Sequence, residues 1–261
     1  MRYVIFNRKG GVGKSTLVVN LAAVAAQRGY RTLVVDLDSQ ANATQYLLGR
    51  AAAEAKPTVA DYFDSTLGFQ LLKAAAGDHV HPTPFENLDL LPAADALADL
   101  ESKLASKHKI YKLKSLLQSL EREGYERIFL DTPPAVNFYT LSALIAAERC
   151  LIPFDCDEFS RRAVYQLLGI VREVREDHNS DLTIGGILVN NFQERARLPQ
   201  TLVDELRAES LPVLEPYLTN SVKVRESHRD HTPLIHLAPG HKLSLRLEEL
   251  FDSVEAAEGI S

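Results

Sequence analysis

Ten residues, "NRKGGVGKST" (7–16), bring three glycines, two lysines and two hydroxyls together between a short apolar run and a long Ala/Leu-rich stretch. Gly10, Gly11 and Gly13, with Val12 between them, let backbone N–H groups close around phosphate oxygens with no Cβ in the way. Lys14 is spaced to reach the β- and γ-phosphates and the Ser15 hydroxyl to hold Mg²⁺. Thr16 follows in the first turn of a helix whose positive end faces the same point. The usual pattern, G-x-x-x-x-G-K-[ST], asks for a glycine where Arg8 stands, and a second lysine, Lys9, sits inside the loop. A glycine turn that merely packs a helix on a strand is the weaker reading once G-K-S-T stands in strand–loop–helix context. Carboxylates come later. Asp36 and Asp38 end "LVVDLD", at a strand edge where α/β sheets place ligands, although paired aspartates there also serve to cap a following helix. Asp131 ends "RIFLD", and Pro133 and Pro134 stiffen the turn after it.

These groups need a frame to hold them. Strand-like runs at 3–6, 32–38, 88–93, 127–131, 149–154 and 183–191 alternate with helical patterns near 15–28, 139–147, 160–177, 199–208 and 241–256. Residues 95–122 are also helical in pattern, with a break near Ser106. Continuous apolar strands separated by helices predict an α/β fold, a mostly parallel twisted sheet covered by helices on both faces. No disordered linker interrupts the pattern, so residues 1–261 read as a single domain with an irregular, insertion-like region at 49–87.

Composition narrows the partners. A formal charge of −6 argues against a chain that coats nucleic acid by total charge, while leaving room for a local basic face. No apolar run approaches the ~20 residues needed to span a bilayer, and no signal peptide is legible. The two cysteines, Cys150 and Cys156, fall on one strand and the loop after it, where reduced thiols in a cytoplasm are the simplest account. "HRDHTPLIHLAPGH" (228–241) gathers four histidines, but without helical spacing or a neighbouring cysteine a zinc site is a weak reading.

The early lysine carries a resemblance. "KGGVGKST" is similar to the deviant phosphate-loop motif K-G-G-x-G-K-[ST] of the ParA/MinD family of P-loop ATPases. "DLDSQANAT" (36–44) resembles that family's D-x-D-P-Q-x-N-x-T switch, with Ser39 at the proline, and "DTPP" (131–134) resembles its second acidic motif. The resemblance implies a single-domain P-loop NTPase using ATP and Mg²⁺. It implies Lys9 reaching across a homodimer to the partner's nucleotide, Lys14 on the phosphates, and Asp38 positioning the attacking water. Asp36 and Asp131 would lie near the metal held by Ser15. Asn190 in "GILVNNF" matches a position that contacts adenine; a turn asparagine is an equal reading of that residue alone.

Within the family, the acidic last turns of the C-terminal helix differ from the basic membrane-binding helix of MinD. The cysteine spacing differs from that of cluster-carrying reductases. The ParA branch remains, a cytoplasmic, nucleoid-associated ATPase that binds double-stranded DNA non-specifically as an ATP dimer, partitions plasmid or chromosome DNA, and is stimulated by a ParB-like partner. Arg195 and Lys223 match its DNA-contacting positions, although acidic neighbours make a solvated mixed-charge surface the competing reading. The lysine-rich "KLASKHKIYKLK" (103–114) reads more simply as the polar face of packed helices. The same cycle positioning a protein cargo, or a P-loop amide ligase or small-molecule kinase with a substrate pocket in 49–87, are the alternatives.

Overall fold

Alternation within the first strand decides the architecture. In the computed structural model, which describes residues 1–68 and 75–259, β1 (Arg2–Ile5) sends Val4 into one core and Tyr3 and Ile5 into another. All three side chains are buried, so the strand needs cover on both faces. Its parallel neighbours are β5 (Arg127–Asp131) and β6 (Arg149–Asp155). Outward from β5 lie β2 (Thr32–Asp36), β4 (Leu88–Leu91) and the short antiparallel edge strand β3 (His81–Pro82). Outward from β6 lie β7 (Thr183–Asn190) and β8 (Val213–Leu214), which completes the eight-stranded sheet. The chain leaves β1 toward β2 on one side and later crosses to β6 on the other. A crevice therefore opens beyond the C-terminal end of β1, where α/β sheets bind ligands.

The face that receives Tyr3 and Ile5 is covered by α1 (Lys14–Gln27), α2 (Asn42–Leu48), the single turn α10 (Leu234–Leu237) and α11 (Lys242–Ala256). Helix α1 is buried continuously from Leu17 to Ala26, so its Ala/Val/Leu run is a core helix rather than an amphipathic one. The opposite face carries α3 (Val59–Ser65), α4 (Leu97–Ser106), α5 (Lys112–Arg122), α6 (Phe138–Ala146), α7 (Glu158–Asp177) and α8 (Arg197–Ala208). The break expected near Ser106 is the interval between α4 and α5.

Several elements depart from the sequence expectation. Helix α2 begins within the stretch read as following a strand, and α9 (Val222–Arg229) lies where no helix is legible. Only Ser227 of α9 is buried, so its sequence has no apolar stripe to betray it. The two-residue strands β3 and β8 are too short to show a period of two. In the irregular 49–87 region, α3 is started by a reciprocal capping box between Thr58 and Asp61. Residues 69–74 of that region lie outside the described residues.

Candidate nucleotide-binding site

Strand register sets the floor of the site. Ile5 pairs with Asp131 and Asp36 pairs with the same residue, so the end of β1 and two carboxylates share one row at the sheet's C-terminal edge. From that row the chain enters the glycine loop. Asn7 is buried and ties the loop's start to β6, its Nδ2 donating to the Pro153 carbonyl at 2.7 Å while its Oδ1 accepts the Lys9 N–H at 2.9 Å. Gly11 and Gly13 hold φ of 77° and 90°, a left-handed turn that L side chains resist. A Cβ on Gly13 would also meet the Asn190 amide at 2.5 Å. The first helical bond of α1 runs from the Leu17 N–H to the Gly13 carbonyl, leaving the N–H groups of Lys14, Ser15 and Thr16 ahead of it to face an anion.

A cavity of about 490 Å³ opens over this loop, lined among others by Gly11, Lys14, Ser15, Asp38 and Pro134. Lys14 is buried, its ammonium donating to the Lys9 carbonyl at 3.2 Å. Burial lowers its pKa, while the charges of Asp131 and Asp38 act the other way. A second recess of about 180 Å³ continues from the loop between Asn190, Leu218 and Leu243. Asn190 lines this recess, its Nδ2 donating to the Val12 carbonyl at 2.9 Å.

The acidic residues divide the work differently from one another. Asp38 lines the phosphate cavity, its Oδ1 accepting the Gln40 N–H at 3.0 Å, so the switch turn is held in place with Ser39 at the family's proline. Asp36, expected near a metal, is fully buried and occupied by the switch segment. Its Oδ2 accepts from the Thr44 N–H at 2.9 Å and the Thr44 hydroxyl at 2.8 Å, and its Oδ1 accepts the Asp38 N–H at 3.1 Å. This arrangement makes Asp36 an anchor of α2 and the switch turn. Burial pushes its pKa up to about 6 despite those three donors.

Asp131 is buried as completely, yet neither carboxylate oxygen has a well-formed hydrogen bond, the Ser15 hydroxyl being near enough only to favour the charged form. Burial first, and then the charge of Asp36, drives its pKa well above the carboxylate range. Such an orphaned carboxylate is costly unless a cation joins it. With the Ser15 hydroxyl beside it, the donor set is all oxygen and fits Mg²⁺.

Lys9 points elsewhere. Its ammonium donates to Asp157, just beyond β6, at 2.6 Å and to Asp155, at the end of β6, at 3.4 Å, and those carboxylates raise its pKa. Sequence reasoning missed Asp155 and Asp157, although acidic residues at a strand's C-terminal end are the same signal that singled out Asp36 and Asp38. It gave no role to Asn7 and Thr44 either, although both lie within the motifs at 7–16 and 36–44. Arg195 is exposed on the loop after β7, where Glu194 is gripped by Arg246 at 2.7 Å and Lys242 at 3.3 Å. Lys223 is exposed in the first turn of α9 and paired with Glu226 at 2.6 Å.

Comparison with known proteins gives the family. An AAA-domain family model matches residues 2–184. Soj, the sporulation initiation inhibitor protein of Bacillus subtilis, is 33% identical over 238 residues, covering 90% of each chain. The chain belongs to the ParA/MinD family of P-loop ATPases. The chromosome-partitioning ATPase Soj of Thermus thermophilus is 36% identical over 208 residues, 79% of this chain and 76% of that one. Among solved structures, cobyrinic acid a,c-diamide synthase from Mycobacterium smegmatis with bound ADP and magnesium superposes with a TM-score of 0.81. It is 25% identical, covering 96% of this chain and 92% of the other. ParA/MinD membership brings ATP and Mg²⁺ as ligands and ATP hydrolysis as the reaction. No helix among the described residues is long and apolar enough to cross a membrane.

Proposed function

We propose that this ParA-type ATPase is a nucleotide-switched homodimer that binds duplex DNA without sequence preference. In this reading it acts on the nucleoid in the cytoplasm, partitions plasmid or chromosome DNA, and turns over faster when a ParB-like protein engages it. The placement of Lys9 carries the reading. Its ammonium rests on Asp155 and Asp157 at the rim, while Lys14 alone of the two loop lysines lines the phosphate cavity. A rim cation that its own cavity does not use suits a second copy docked face to face, where it would meet the developing charge on the partner's γ-phosphate.

Within one chain, Lys14 and the open N–H groups of α1 hold the β- and γ-phosphates, and Asp38 orients water toward the γ-phosphorus. Ser15 and Asp131 would hold Mg²⁺, whose charge would offset that developing on the phosphate. Hydrolysis by a single copy is slow because the partner's cation is missing. Arg195 and Lys223, both exposed, supply phosphate contacts for DNA. The partition role follows the printed name of the Thermus relative.

Light scattering with ADP or a non-hydrolysed ATP analogue, with and without duplex DNA, tests the proposal. Wild type doubles its mass only with the analogue, and Lys9→Ala remains a monomer while still binding nucleotide. An unchanged mass for wild type under every condition would reject it.

The likeness to the diamide synthase raises a second reading, an ATP-dependent amide ligase. That activity needs an acceptor pocket beside the γ-phosphate. The pocket formed around the 49–87 region, about 360 Å³ between Tyr62, His79, Lys112 and Ser119, shares no described lining residue with the phosphate cavity. The switch reading is therefore preferred.

A further inference from the structure

The histidine-rich stretch that earlier suggested a metal is distributed over four separate contacts. His241 caps α11, its Nδ1 accepting the Leu243 N–H at 3.1 Å, and His236 stacks on Phe85 with ring centroids 4.9 Å apart. His231 donates from Nδ1 to the Gln45 carbonyl at 2.9 Å. His228 has a different surrounding. Its Nε2 lies 3.0 Å from the Thr16 hydroxyl in the first turn of α1, and its ring meets Tyr46 edge-on at 4.6 Å.

Only four described residues line both the phosphate cavity and the base-side recess, namely Gly11, Gly13, Thr16 and His228. Three belong to the phosphate loop and its helix. The fourth comes from 212 residues further along the chain. The part of a nucleotide that joins its phosphate end to its base end is the α-phosphate with its ribose. Beside that junction stand the open N–H of Thr16, the Thr16 hydroxyl and the His228 imidazole.

We propose that His228 is a nucleotide-binding residue whose Nε2–H donates to an α-phosphate oxygen of bound ADP or ATP, exchanging its Thr16 contact for the ligand. This rests on the nucleotide-site assignment but not on dimerisation or DNA binding. It makes His228 selective for nucleotides over bare polyphosphate, because pyrophosphate fills the β/γ end of the loop without reaching the junction. Tyr46, itself hydrogen-bonded to Ser227 at 2.6 Å and Asn20 at 3.2 Å, fixes the ring's approach.

Calorimetric titration of the isolated protein with ADP and, separately, with pyrophosphate, both with Mg²⁺, tests this. His228→Phe keeps a ring against Tyr46 and removes the donor; His228→Gln keeps a donor. The expected result is ADP affinity about tenfold weaker in the Phe variant, a smaller loss in the Gln variant, and pyrophosphate affinity unchanged in both. ADP affinity equal to wild type in the Phe variant overturns the proposal. So does an equal loss for ADP and pyrophosphate, which would mean that the loop itself had been disturbed. Wild-type protein that binds neither ligand would instead reject the nucleotide site on which the inference rests.

Discussion

Asp38 and Asp131 stand at one end of the site in opposite electrostatic circumstances. Asp38 faces the phosphate cavity with one oxygen engaged by a backbone N–H, and its other oxygen is not used by the switch turn. Asp38→Ala leaves the anchor made by Asp36 and Thr44 in place, so the fold and ATP binding persist. Turnover is expected to fall by roughly 10²–10⁴-fold, the ordinary worth of a positioned acid–base group. The proposed ATP-bound dimer should accumulate, as scattering alongside phosphate release would show; undiminished turnover would remove Asp38 from the mechanism. For Asp131 the sign follows from its raised pKa. Mg²⁺ competes with a proton for the carboxylate, so protons win at low pH and apparent Mg²⁺ affinity increases as pH rises through the elevated pKa. Mg²⁺ titrations of the ADP complex across a pH series should show binding tightening as the pH rises. Asp131→Asn should flatten that dependence.

At the scale of elements, the loop after β6 acts on the loop after β1. Asp155 pairs in register with Asn190, which touches Val12, and Asp155 and Asp157 together hold Lys9. The ends of three neighbouring strands thus converge on the glycine loop. Lys9 and Asp157 are each more than a third exposed, so an ion pair of this kind contributes at most about 1 kcal/mol. In the proposed dimer, such a hold would keep Lys9 at the rim without preventing its departure toward a second copy. Asp157→Asn is therefore expected to lower the protein concentration needed for ATP-dependent dimerisation by only a few-fold, about fivefold at most. Sedimentation at several protein concentrations would measure it, and a variant that dimerises less readily would show that Asp157 assists the docked state.

Over the whole molecule, the phosphate loop and the proposed DNA contacts lie on different elements, although α9 carries both Lys223 and the cavity-lining His228. Arg195 follows β7 on a loop braced to α11 through Glu194, and Lys223 opens α9. Charge removed from that surface leaves the phosphate loop untouched. Arg195→Glu should weaken duplex binding and reduce its dependence on salt, with ATP affinity unchanged. Fluorescence anisotropy across a salt series reads the first pair of quantities and calorimetry the last. Loss of nucleotide affinity as well would mean that the brace, rather than a DNA contact, had been broken.

By itself the amino-acid sequence determined what short-range spacing can encode. The glycine loop and its two lysines, the carboxylates closing β2 and β5, and the alternation of apolar strands with helices all lie within windows of a few residues. Each local preference there agrees with the final fold. Tertiary structure alone decided which distant groups meet. Lys9 lies 148 residues from the Asp157 that holds it, and Thr16 lies 212 from His228. Asp36 became the anchor of α2 because the chain turns back to place Thr44 over it. Helix α9 carries no apolar stripe, and its position comes from the packing of its neighbours. Contacts across such separations leave no period in the chain, since strand order and helix packing set them after the local elements have formed.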